Sequence, residues 1–82
     1  MVVVEIEVLD FITRKPVANA EVIIDKYVLK TNEDGKVTVE LEPNLYWVVV
    51  KHPNYYDQSQ AIDVRLAQKF KIYLMPKVVL VK

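Results

Sequence analysis

The chain has 82 residues, 52% of them apolar, with eleven basic and eleven acidic side chains, one glycine and no cysteine. A length of this order holds one domain, whose folding hides only about 60–65% of the surface of the unfolded chain, so the core is thin and some apolar side chains must lie outside it. Zero net charge with interspersed signs excludes a sequence-wide attraction to nucleic acid or an anionic membrane surface, and the lack of cysteine excludes disulfides and thiolate metal sites.

Alternation with a period of two runs from end to end and predicts strands over 2–9, 20–25, 28–31, 36–41, 46–52, 61–66 and 69–75, with 78–81 as an eighth. The first of these follows no positively charged leader, and its apolar run stops at Glu5, which sets the expectation of a cytoplasmic chain unless a leader has been removed. No stretch approaches the ~20 apolar residues of a membrane helix. Turn chemistry separates the strands. Asn32-Glu33-Asp34-Gly35 places the glycine where a hairpin needs positive φ, and Pro16, Pro43, Pro53 and Pro76 fall between strands, where the missing N–H costs no ladder bond. Short strands with turns this frequent predict an all-β fold: a single two-sheet antiparallel sandwich of seven or eight strands spanning 1–82.

Following the alternation assigns an inner face of Val4, Ile6, Val8, Ala20, Val22, Ile24, Val37, Val39, Leu41, Tyr46, Val48, Val50, Ile62, Val64, Leu66, Phe70, Ile72 and Leu74. The outer face carries Glu5, Glu7, Glu21, Thr38, Glu40, Asp63, Arg65 and Lys71, but also Val3, Ile23, Trp47, Val49, Tyr73 and Met75. Those six are the apolar surplus that the composition demands.

Four segments in order carry a resemblance. They are Val8-Leu9-Asp10 with Thr13-Arg14-Lys15-Pro16-Val17-Ala18-Asn19-Ala20-Glu21-Val22; Thr31-Asn32-Glu33-Asp34-Gly35; Leu45-Tyr46-Trp47; and Pro53-Asn54-Tyr55. Together, over about residues 2–75, they resemble the carboxypeptidase regulatory-like domain. That resemblance implies a transthyretin-like, prealbumin-like sandwich and a non-catalytic accessory role. Each segment also has a local physical reading. Asp10 and Thr13 can close the turn before Pro16 by accepting backbone N–H bonds, small Ala20 admits the second strand to a crowded core, and Tyr46 can send its hydroxyl to backbone at a corner. Asn44 and Asn54 stand where the family pattern has glycine, and asparagine tolerates left-handed φ best after glycine. Few glycines, no cysteine and abundant Val, Lys and Glu fit a protein from a hot environment.

The inventory for chemistry is poor. His52 is the only histidine and Ser59 the only serine, too few for a metal site or a base–nucleophile pair. Glu5/Glu7, Glu40/Glu42 and Asn32-Glu33-Asp34 offer too few oxygens for calcium. No catalytic, cofactor or metal residue is expected, and no cofactor. Trp47, Tyr55 and Tyr56 are rings that can stack on a sugar, which makes a carbohydrate-binding accessory module the alternative reading. The leading expectation is a structural or protein-interaction module that forms a homo-oligomer or binds another protein chain. The segment Lys77-Val78-Val79-Leu80-Val81-Lys82 has an aggregation-prone core between charged gatekeepers. It can pair with its own sandwich, add a strand to another subunit, or stay unordered. The expected interface is Ile23, Trp47, Val49 and Tyr73 with Val78, Val79, Leu80 and Val81.

Overall fold

The structure is a computed structural model that describes residues 1–77, so the expected strand over 78–81 lies outside the described residues. Seven strands follow in order: β1 (Val2–Asp10), β2 (Glu21–Ile24), β3 (Tyr27–Lys30), β4 (Lys36–Leu41), β5 (Leu45–His52), β6 (Tyr55–Asp63) and β7 (Lys69–Leu74). They form a two-sheet all-β sandwich, with a three-stranded sheet in the order β4-β1-β7 and a four-stranded sheet in the order β3-β2-β5-β6.

Alternation decides which side chains fill the space between the sheets. Val4, Ile6 and Val8 of β1 face Val22 and Ile24 of β2 and Val48 and Val50 of β5, all fully buried, with Leu41, Ile72 and Leu74 completing the layer. Tyr27, Leu29, Tyr46 and Phe70 cover its margins, half-buried. Every pairing is antiparallel except β1 with β7, where Ile6 lies beside Phe70 and Val8 beside Ile72 in parallel register. A parallel pair needs a long crossover, and here the rest of the sandwich supplies it, because β1 and β7 come from opposite ends of the chain.

Two expectations fail in β6. The strand starts at Tyr55 rather than at 61, and it ends at Asp63 rather than at 66. Its first half, Tyr56-Asp57-Gln58-Ser59-Gln60, is polar because, among the described residues, β6 ends its sheet with β5 alone ladder-paired to it, so strict alternation has nothing to enforce it. At the far end Asp63 turns the chain: its carboxylate accepts the Arg65 N–H at 3.1 Å and its carbonyl accepts the Leu66 and Ala67 N–H groups. Parity is lost there, and Leu66, expected inside, is 84% exposed. The left-handed residues also differ from expectation. Arg14, Asn19, Asp25 and Gly35 have positive φ, whereas Asn44 and Asn54 do not. Asn44 instead accepts the Leu45 N–H on its side chain, and its carbonyl holds Val64 N–H.

The turns lock to one another. Asp10 Oδ1 accepts the N–H groups of Ile12 (2.7 Å) and Thr13 (2.9 Å), which folds residues 10–16 into a tight loop. Buried Thr31 donates its hydroxyl to the Val17 carbonyl at 2.7 Å and accepts the Ala20 N–H at 2.9 Å. Gly35, at φ 72°, lies under that same loop, and its carbonyl accepts the Val8 N–H at 2.7 Å. At the opposite corner Tyr46 donates its hydroxyl to the Glu42 carbonyl at 2.7 Å, and burial pushes its pKa up.

Candidate functional site

The two outer faces differ in kind. On the three-stranded sheet Glu7 lies between Lys36 of β4 and Lys71 of β7, and Glu5 between Thr38 and Lys69. Those rungs are charged or polar, while Val3 and Tyr73 point outward from the same sheet. The four-stranded sheet presents rows that change in character along the strands. The row Lys30–Glu21–Lys51 is charged; the next, Val28–Ile23–Val49–Ser59, is apolar across three strands; the next brings Trp47 beside Ala61; and the last pairs Leu45 with Asp63.

Trp47 is 62% exposed and Val28 63%, while Ile23 and Val49 are half-covered by these neighbours. Asp63 closes one margin of the patch in a bidentate pair with Arg65, whose Nε and Nη2 each lie 2.8 Å from a carboxylate oxygen. The guanidinium holds the Asp63 carboxyl below its ordinary range. An apolar centre with a tryptophan, bounded by charged rows, has the layout of a protein-binding surface with a polar rim.

The structure therefore brings Ile23, Trp47 and Val49 together and separates Tyr73 from them, since Tyr73 points outward from the other sheet. Val78, Val79, Leu80 and Val81 lie outside the described residues. Val28, Leu45 and Ala61 join the patch without having been anticipated. Val28 and Leu45 were missed because their outward parity emerges only from the pairing of β3 with β2 and of β5 with β6.

The three rings proposed for sugar stacking do not converge. Trp47 stands opposite Ala61, five residues along β6 from Tyr56, a separation of roughly 16 Å at the rise of a strand. Tyr55 is half-buried, packs against the core and donates its hydroxyl to Asp10 Oδ2 at 2.8 Å. Tyr56 is exposed, with the Lys77 ammonium 6.0 Å from its ring centre.

His52 accepts the Asn54 N–H on Nδ1 and meets Tyr55 edge to face at 5.2 Å, a local turn arrangement. Asn32 accepts the N–H groups of Asp34 and Lys36 on one side-chain oxygen, which shapes its own hairpin. Among the described residues no three His, Asp or Glu side chains are grouped to hold a metal ion.

No family model matches the chain, and no curated protein matches it either.

Proposed function

We propose that this chain is a non-catalytic interaction module of the carboxypeptidase regulatory-like type, which self-associates through the outer apolar face of its four-stranded sheet and through its strand edges. The observation that carries the reading is the apolar row Val28–Ile23–Val49 with Trp47 beside it, set between charged margins on one face. Burying one tryptophan and several aliphatic side chains contributes several kcal/mol, at about 25 cal/mol per Å². Scattered over the surface, the same residues would have no cooperative value; contiguous on a flat sheet they form a patch.

Edges add a second means of association. β3 and β4 each pair on one side only among the described residues, and β3 carries Val28 of the apolar row. The family reading draws support from the way its motif segments meet. Asp10 holds the loop before Pro16, Gly35 lies beneath that loop, Thr31 ties Val17 to Ala20, and Tyr55 reaches Asp10.

Light scattering on the full chain and on a version ending at Pro76 tests the proposal. An oligomeric full chain with a monomeric truncation assigns the contact to the last segment. Oligomers in both assign it to the outer face. Two monomers at high concentration overturn self-association and move the search to a separate partner chain.

A further inference from the structure

Gln58 and Gln60 occupy positions that strand parity reserves for the core. They lie opposite Val50 and Val48 in the ladder between β5 and β6, on the same side as buried Ile62, yet both are amides, one exposed and one half-buried.

The space they face is built. β6 and β7 are tied at one end, where Tyr56 N–H donates to the Met75 carbonyl and Lys77 N–H to the Asn54 carbonyl. Beyond that point no ladder joins them among the described residues. The gap is a cleft of about 320 Å³ lined by Phe11, Gln58, Gln60, Tyr73 and Met75. Its two rings are held nearly perpendicular, 6.4 Å apart, and the Arg14 guanidinium lies 5.2 Å from one and 5.0 Å from the other. Arg14 takes a left-handed backbone, φ 66°, to get there. Left-handed φ is unfavourable for a side chain of this kind and persists only where the surroundings hold it.

The lining sets the ligand class. The five residues that line the cleft are uncharged, and the cation beside them is the Arg14 guanidinium that lies over the two rings. The Arg14 cation is engaged with the ring faces. What remains is two aromatic rings, a thioether and two primary amides, each amide able to donate and accept. Gln58 makes only a marginal 3.5 Å bond to the Ser59 carbonyl. Side chains at i and i+2 stand roughly 6.6 Å apart along a strand, which brackets the width of one sugar ring. The volume lies at the lower end of the ~300–1,000 Å³ typical of small-ligand sites.

We infer that this cleft binds one pyranose unit of a neutral glycan, packed beside the Phe11 and Tyr73 rings with Gln58 and Gln60 on its hydroxyls. The site is separate from the outer apolar face, and it stands or falls independently of self-association.

The test is an amide-resolved NMR titration of the full chain with cellohexaose, xylohexaose, mannohexaose and maltohexaose, with hexagalacturonic acid as the charged counterpart and a capped neutral Gly/Ser/Ala peptide as control. Saturable shifts at Phe11, Gln58, Gln60 and Tyr73 are expected with at least one neutral glycan, at Kd on the order of 1 mM, with Trp47 unmoved. Gln58→Ala with Gln60→Ala should weaken binding about tenfold or more, while leaving the melting temperature in place because neither side chain is fully buried. Phe11→Ala provides a second variant, on the loop rather than in a sheet. Three results overturn the inference: no saturable shift with any neutral glycan up to about 20 mM, preference for the charged glycan or the peptide, or shifts centred on Trp47.

Discussion

Tyr55 donates its hydroxyl to Asp10 Oδ2 at 2.8 Å across 45 residues of sequence. The other oxygen of the same carboxylate accepts the N–H groups of Ile12 and Thr13. One carboxylate thus ties the start of β6 to the end of β1 and shapes the loop that carries Phe11 and Arg14. Tyr55→Phe keeps the ring in its packing and removes only the hydroxyl. It should lower stability by about 1.5–3 kcal/mol, the value of a hydrogen bond to a charged acceptor, as measured by chemical denaturation. An unchanged midpoint would mean that water replaces the hydroxyl without loss.

The pH dependence follows from the same groups. The Thr13 N–H is the main cause that holds the Asp10 carboxyl below its ordinary 3.8, with the Tyr55 hydroxyl and Ile12 N–H acting the same way against the opposing effect of burial. Because the folded pKa is the lower one, the unfolded chain takes up this proton first as pH falls. The contribution is therefore complete above about pH 4 and is lost below it, through the folded pKa. Asp63, held down by Arg65, acts in the same direction. Burial raises Tyr46 and Tyr55 above 10.0, so their contribution is present below pH 10 and lost as pH rises past it. Melting temperatures should fall at both extremes, and Asp10→Asn should flatten the acid side.

Gly35→Ala should be among the most damaging single substitutions. A Cβ there would sit 2.6 Å from the Val8 carbonyl oxygen, 2.9 Å from Pro16 Cβ and 3.1 Å from Val17 N, on a backbone at φ 72°. The neighbours are backbone and a ring, which cannot rotate away. Left-handed strain and displaced packing together cost on the order of 3–5 kcal/mol. A thermal melt reads the result, and a change below 1 kcal/mol, roughly the scale of a tolerated surface substitution, would refute the close packing of the loop on the hairpin.

Thr31→Val removes a buried hydroxyl that satisfies both the Val17 carbonyl and the Ala20 N–H. Shape is conserved, and two backbone groups lose their partner, which predicts a loss of about 2–4 kcal/mol. Thr31→Ser, which retains the hydroxyl, should recover most of it. A larger loss in Thr31→Ser than in Thr31→Val would show that the methyl group, rather than the hydrogen bonds, matters.

Trp47→Lys places a charge at the centre of the apolar face without touching the core, since Trp47 is largely exposed. If the proposed association is correct, sedimentation or light scattering should show a shift toward monomer by at least about tenfold in dissociation constant, as for loss of a central aromatic anchor. The melting temperature of the dilute chain should stay within a few degrees. An unchanged mass distribution would remove this face from the interface.

Much of the sandwich was legible in the sequence because alternation is a local signal. Val4, Ile6 and Val8, or Val22 and Ile24, cannot be both on a strand and on the surface when one face of that strand must be covered. Turn residues were legible for the same reason: Asp10, Thr13, Gly35 and Tyr46 act on backbone within a few residues of themselves or at a required φ. The extent of β6 was not, because an edge strand with polar residues on both sides has no periodicity to read, and the turn made by Asp63 reversed the fate of Leu66.

The sequence by itself determined that this is a β-sandwich, most of the side chains that fill its core, though not Leu9, Val17 or the exposure of Leu66, and that apolar residues are left over. Only the tertiary structure decided where the surplus goes. Strand order and register are long-range properties: they set Ile23, Val28, Val49 and Trp47 on one face, sent Tyr73 to the other sheet, and opened a cleft between β6 and β7 over two glutamines. Periodicity specifies the side of a strand on which a residue lies. Only pairing between distant strands specifies its neighbours.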